Sequence, residues 1–263
     1  MKEDLRSVNV AGTRLAVQRQ RRDGRSDGRT LVFLHDSLGC ITTWRRFPQE
    51  LALAAGCDAL VYDRQGYGRS APFGPQPRDA RYMHREADVL HALLEAEDIT
   101  AAILFGHSDG GTIALLAAAK HPERIAAVIT EGAHVFVEDV TLQGIREAER
   151  LYATTDLRER LIRHHGDRTD ALFEAWTKTW QAPFFRPWDI TPDLASVRCP
   201  VLVLQGVNDE FGTEAQVDAI VAAIGGRARK CMVEGAAHTP HKEAPVFVLE
   251  QVERFMNEVL HRR

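Results

Sequence analysis

A-A-I-L-F-G-H-S-D-G-G-T-I-A-L-L-A-A-A-K, residues 101–120, passes from a continuous apolar run through a glycine-rich turn into an Ala- and Leu-rich stretch. A short apolar run without polar alternation suits a strand buried on both faces. The pentapeptide G-H-S-D-G (residues 106–110) therefore stands between a strand and a helix, the context in which G-x-S-x-G presents a serine hydroxyl at the top of a sheet. Its flanking glycines are expected to let the chain turn sharply and leave Ser108 exposed.

Strand and helix signals alternate outward from this point. Residues 8–18 predict a hairpin around Ala11-Gly12, and further buried strands are expected at Leu31–Leu34, Ala59–Tyr62, Ile125–Thr130, Val201–Gln205 and Ala228–Val233. Helices are expected over Thr43–Ala55, Ala80–Glu97, Gly110–Lys120, Glu214–Ile224 and Val246–Leu260. This alternation predicts an α/β protein with a mostly parallel sheet, helices on both faces, and a site at the carboxyl ends of the strands. From about Ala133 to Pro192 no strand is expected, and Tyr152, Phe173, Trp176, Trp180, Phe184, Phe185 and Trp188 crowd among helix formers. Such a segment reads as a helical insertion (134–192) on a core formed by 1–133 and 193–263. Its aromatic side chains would pack on one another or wall a pocket.

A serine hydroxyl is a weak nucleophile at neutral pH, so Ser108 needs a base to take its proton and an acid to orient that base. The strand Val201–Gln205 leads into G-V-N-D-E-F, which offers Asp209 and Glu210; the last strand leads into E-G-A-A-H-T-P-H, which offers His238 and His241. Asp209 and His238 are the preferred pair, with Glu131 as another position for the acid. An oxyanion needs two N–H donors. The amide of Asp109, at the start of a helix, is one; the loop H-D-S-L-G (residues 35–39) supplies the other, Ser37 before Leu38. In Y-D-R-Q-G-Y-G-R-S (62–70), Asp63 and Arg64 are expected to hydrogen-bond neighbouring loops.

The composition narrows the function. At 263 residues and about 150 residues per domain, the chain suits one large domain or one with an insertion. With 33 basic and 37 acidic residues the net charge is −4, so no basic field draws nucleic acid. The basic run R-Q-R-R-D-G-R-S-D-G-R (19–29) reads as a solvated loop. The sequence M-K-E-D-L-R-S lacks the apolar core of a signal peptide, and no stretch nears the roughly 18 apolar residues of a membrane span, so a cytoplasmic protein without membrane contact is expected. Cys40, Cys57, Cys199 and Cys231 are scattered, which suggests neither a disulfide frame nor a zinc site.

H-D-S-L-G, D-R-Q-G-Y-G-R-S, G-H-S-D-G, V-N-D near 209 and G-A-A-H-T-P-H-K-E-A-P (235–245) together resemble the α/β-hydrolase superfamily over nearly the whole chain. The resemblance implies an eight-stranded, mostly parallel sheet with a lid after strand 6, and neither metal nor organic cofactor. G-H-S-D-G-G-T-I-A-L-L-A-A-A-K-H-P with E-G-A-H-V-F-V-E-D and G-I-R-E looks like the valacyclovir-hydrolase (biphenyl hydrolase-like) esterases. There an acid after the nucleophile is associated with the ammonium of an amino-acyl ester, a role that would fall on Asp109; the alternative is that Asp109 favours the first turn of its helix. Asp36 departs from the family's usual glycine, a cost if that position needs a positive φ.

The reading is a serine hydrolase of small esters, with Ser108, His238 and Asp209 catalytic, Ser37 and Asp109 amides on the oxyanion, and Asp109, Leu38, Trp176 and Trp180 against the substrate. Its partners are a small ester or acyl substrate and water, and a homo-oligomer is compatible with the sequence. A carbon–carbon bond hydrolase or lactonase would use the same triad, whereas a non-catalytic receptor would keep the fold without the chemistry. Epoxide hydrolases and haloalkane dehalogenases need a carboxylate where this chain has Ser108.

Overall fold

The computed structural model describes residues 2–22 and 28–260. Eight strands form one sheet in the order β1-β2-β4-β3-β5-β6-β7-β8. The hairpin of β1 (Lys2–Val10) and β2 (Thr13–Arg21) is longer than its apolar alternation predicts, and β2 joins β4 (Asp58–Tyr62) antiparallel. The remaining pairs, among β3 (Thr30–Leu34), β4, β5 (Ala102–His107), β6 (Ile125–Glu131), β7 (Val201–Gly206) and β8 (Ala228–Val233), are parallel. Arg19 to Arg21 of the basic run belong to β2 and not to a loop, and Arg19 donates to the Glu97 carbonyl; residues 23–27 of that run lie outside the described residues.

Alternate strand residues feed two cores. Val32, Leu34, Leu104 and Val128 face a layer that includes α2 (Tyr82–Ala96), α3 (Asp109–Lys120) and α8 (Glu214–Ile224). Leu31, Phe33, Ile103, Phe105 and Ile129 face α1 (Phe47–Ala55) and α10 (Pro245–Leu260). There Phe33, Trp44, Phe47 and Phe105 pack ring on ring with centroids 5.2–6.3 Å apart. Each such contact adds about 0.5–1.5 kcal/mol beyond area burial. The expected helix Thr43–Ala55 is interrupted: a single 3-10 turn over Ile41–Trp44 precedes α1, because Arg45 adopts φ +53° and breaks the helical path.

Between β6 and β7 lie α4 (Asp139–Thr154), α5 (Leu157–His165) and α6 (Thr169–Gln181), with the short α7 (Thr191–Leu194) leading back to the sheet. A single antiparallel bridge, Phe136 to Asp189, ties the two ends of this segment. No helix among the described residues is long and apolar enough to cross a membrane.

The chain leaves β3 for β4 on one side and returns to β5 on the other, so the loops after β3 and β5 meet where the strand order reverses, the usual crevice for a ligand. Ser108 lies in that crevice with φ +54° and ψ −121°, a strained conformation costing about 1–3 kcal/mol. Its N–H donates to Glu131 O at 2.8 Å, and its carbonyl accepts from the N–H groups of Gly111 and Thr112. The positive φ therefore falls on the serine itself and not on its flanking glycines. Those glycines are required by close approach: a Cβ on Gly106 would stand 2.3 Å from Gly110 O, and one on Gly110 only 2.1 Å from Leu34 O. Gly110→Ala is expected to cost about 2 kcal/mol or more in urea unfolding, whereas Gly226→Ala, with nothing within 4 Å of the added carbon, should leave stability nearly unchanged.

Candidate active site

One cavity of about 190 Å³ gathers residues from four of the loops the sequence singles out: Asp36, Ser37 and Leu38 after β3, Ser108 and Asp109 after β5, Glu210 after β7, and His238 after β8. His238 Nδ1 lies 2.9 and 3.0 Å from the two Asp209 carboxylate oxygens. Asp209 accepts a further bond from the Phe211 N–H at 2.9 Å. Burial pushes the Asp209 carboxyl up, but the neighbouring His238 and these hydrogen bonds outweigh it and hold the group below its ordinary value. The carboxylate is thus ionised at neutral pH and accepts from the Nδ1–H of His238, which turns Nε2 away from Asp209.

The alternative acid and base are elsewhere. His241 and Glu131 form their own buried pair, with Nδ1 2.5 Å from Oε2 and the His241 N–H also donating to Glu131, and neither side chain lines the cavity. Glu210 is exposed and lines the cavity without contacting His238.

On the β3 loop, the Leu38 N–H donates to Asp36 Oδ1 at 3.1 Å, whereas the N–H of Ser37 has no acceptor among the described residues. That engagement distinguishes Ser37 from Leu38 as a donor for a bound oxyanion. Asp36 is not at positive φ, so its departure from glycine carries no backbone strain. Its carboxylate instead faces His107 Nδ1 at 3.4 Å, while His107 Nε2 donates to the carbonyl of His238 at 2.8 Å. Both ring nitrogens of His107 face acceptors, an arrangement that favours the protonated ring. Burial opposes that charge, but Asp36 outweighs it and raises the His107 value, and the same pair drives the Asp36 carboxyl far below the carboxylate range. One pair of a buried histidine and a half-buried carboxylate therefore joins the β3 loop, the residue before Ser108 and the loop carrying His238.

Asp109 is almost fully buried, accepts from the Tyr82 hydroxyl at 3.1 Å and lies 3.8 Å from the Arg64 guanidinium. Trp180 Nε1 donates in turn to Tyr82 at 3.2 Å, linking α6 to the turn after β5. Arg64 also donates to Asp36 O, and Asp63 accepts from the N–H groups of Ile41 and Arg69, so both tie loops together as expected.

Trp176 and Trp180 line the cavity with Thr141 and Ile145 of α4. Other aromatic residues of this segment pack on each other: Tyr152 stacks on Phe173 at 3.8 Å and Phe185 on Trp188 at 5.1 Å. His134, Phe211 and Thr239 also line the cavity and were not anticipated. His134 and Phe211 lie in the segments 133–138 and 209–213, which converge only in three dimensions, so no sequence spacing could reveal them. His107, Glu131 and His241 carry potential metal-ligand atoms within 4.8 Å of one another, but these atoms are already committed to the pairs described above.

A model of the alpha/beta hydrolase family matches residues 31–251, and the chain belongs to that family. Human serine hydrolase BPHL is 30% identical over 189 residues, which are 67% of this chain and 62% of the relative; the chain thus spans under two thirds of that protein. A 2-hydroxy-6-oxononadienedioate/2-hydroxy-6-oxononatrienedioate hydrolase of Escherichia coli is 26% identical over 209 residues, 69% of this chain and 71% of that one. The enol-lactonase of Burkholderia xenovorans superposes with a TM-score of 0.73 at 22% identity, covering 95% of this chain and 99% of the other. These are likenesses of sequence and fold.

The Asp36–His107 pair gives a pH test. Its contribution is fully present below the ordinary histidine value of 6.5 and is lost as pH rises through the raised His107 value. The loss of thermal stability in Asp36→Asn should therefore be larger at pH 6 than at pH 9 in paired melting curves.

Proposed function

We propose that this α/β-hydrolase is a serine hydrolase that cleaves small carboxylic esters through an acyl-enzyme on Ser108. The observation carrying this reading is the Asp209–His238 pair, closed at 2.9 and 3.0 Å on the cavity that Ser108 also lines. Ser108 Oγ attacks the ester carbonyl as His238 Nε2 takes its proton, and His238 returns that proton to the departing alcohol. Water, deprotonated by the same histidine, then releases the acid. Amides of Ser37 and Asp109 hold the oxyanion, each worth about 3 kcal/mol to the transition state. Residues 134–192 serve as a lid, with Trp176 and Trp180 as its substrate-facing side chains and Leu38 opposite them.

The charge of the substrate follows from the lining of the cavity, which includes Asp36, Asp109 and Glu210 but, among the described residues, no lysine or arginine. That lining disfavours the dianionic carbon–carbon substrates in the name of the Escherichia coli relative. Asp109 is assigned to the oxyanion through its amide alone, because its carboxylate already meets Arg64 and Tyr82 and would have to release them to hold an ammonium.

Two experiments test these assignments. Ser108→Ala should lower p-nitrophenyl acetate turnover about a thousandfold or more; unchanged turnover removes Ser108 from the chemistry. Asp109→Asn, which leaves Arg64 without its anion, should reduce hydrolysis of phenyl alaninate and phenyl propanoate by similar factors. A loss confined to the alaninate would restore the ammonium role.

A further inference from the structure

Phe211 borders two spaces. It lines the catalytic cavity, and it also lines a groove of about 330 Å³ whose wall along α4 includes Val140, Gly144, Ala148 and Leu151. These α4 residues recur at spacings of three and four and therefore lie along one side of the helix. Thr141 and Ile145, each one position further on, line the catalytic cavity instead. The helix thus runs beside both spaces, and Glu210 and Phe211 are the residues that the two linings share. Gly144 makes that partition close-fitting. Glycine is unfavourable inside a helix, but a Cβ there would stand 2.8 Å from both the Glu210 carbonyl oxygen and Phe211 Cδ1.

The main chain at Phe211 is anchored on both sides. Its N–H donates to Asp209 at 2.9 Å, and its carbonyl accepts from Thr141 Oγ1 at 2.6 Å and lies 3.0 Å from His134 Nε2. A change of side chain can therefore open the partition without releasing the loop. The ring is also placed against the base: its centroid is 4.7 Å from that of His238, nearer than those of His107 at 5.0 Å and His134 at 5.9 Å, and Phe211, unlike His107, lines the cavity. In ester cleavage His238 hands its proton to the oxygen of the departing alcohol, so that oxygen must lie within hydrogen-bond reach of the His238 ring. The carbon chain attached to that oxygen is consequently the part of the ester that meets Phe211.

We infer that Phe211 is a specificity-determining residue that ends the alcohol side of the catalytic cavity and shuts it off from the groove along α4. The favoured substrates are then esters of short alcohols, a narrowing that rests on the esterase reading above. Discrimination is steric: the ring excludes a long alcohol chain, and the apolar wall beyond it receives that chain once the ring is removed.

The test compares ethyl acetate, octyl acetate and ethyl octanoate, with kcat/KM measured in wild type, Phe211→Ala, Phe211→Leu and the double variant Phe211→Ala/Gln143→Trp. Wild type should prefer ethyl acetate over octyl acetate by about tenfold or more. Phe211→Ala should raise the octyl-to-ethyl acetate ratio by about tenfold and leave the ratio of ethyl octanoate to ethyl acetate within about threefold of wild type. Phe211→Leu, a smaller change to the packing, should shift the first ratio in the same direction. In the double variant an indole on an exposed position of α4 fills the groove, and most of the gain should be lost. Ratios are taken within each protein, so a general loss of activity cancels. Equal rates on octyl and ethyl acetate in wild type, a ratio unmoved by Phe211→Ala and Phe211→Leu, a gain on ethyl octanoate instead, or a gain that survives Gln143→Trp overturns the inference. Absence of Ser108-dependent turnover on every ester instead overturns the esterase reading.

Discussion

Between β5 and α3 the backbone passes so close to β3 that a Cβ at position 110 would meet Leu34 O at 2.1 Å, and Ser108 is held at φ +54° by the strand beside it and the helix after it. Only glycine fits at positions 106 and 110, two residues to either side of the serine, and the strain on the serine is carried by the surrounding sheet. Much else depends on this crossing. It sets the β3 loop beside the start of α3, where Ser37 and Asp109 line one cavity, and it brings His107 within reach of Asp36.

His107 extends that constraint to the third loop. By facing Asp36 on one side and the His238 carbonyl on the other, it couples the β3 loop to the loop carrying His238. With His107 buried and the Asp36 side chain 26% exposed, the pair is partly desolvated at a cost that offsets its attraction, so the arrangement is better understood as fixing geometry than as adding stability. It also accounts for Asp36 in a loop where a small residue would otherwise serve: Gly39 leaves space for its carboxylate, since a Cβ there would stand 2.3 Å from Oδ1.

Features with local causes were legible in the sequence. Continuous apolar runs located β3 to β7 to within a residue or two, because a strand covered on both faces has no polar side to disguise it. The chain order of Ser108, Asp209 and His238 pointed to residues that share one cavity or, for Asp209, contact a residue that does. What stayed hidden depends on contacts between distant segments: Arg64 against Asp109, His107 against Asp36, and His134 against Phe211. Nor could the sequence say which tryptophans of 134–192 face the cavity, since Trp180 and Trp188 both lie in an amphipathic, aromatic-rich context and only Trp180 lines it.

The central claim is that Ser108 is an activated nucleophile in the folded chain. Treating the native protein with a fluorophosphonate and locating the adduct by peptide mass spectrometry tests it directly. The account predicts a single adduct on Ser108, formed far more slowly in His238→Ala and abolished when the protein is unfolded beforehand. No adduct on the native chain, or one at another residue with Ser108 unmodified, would contradict it.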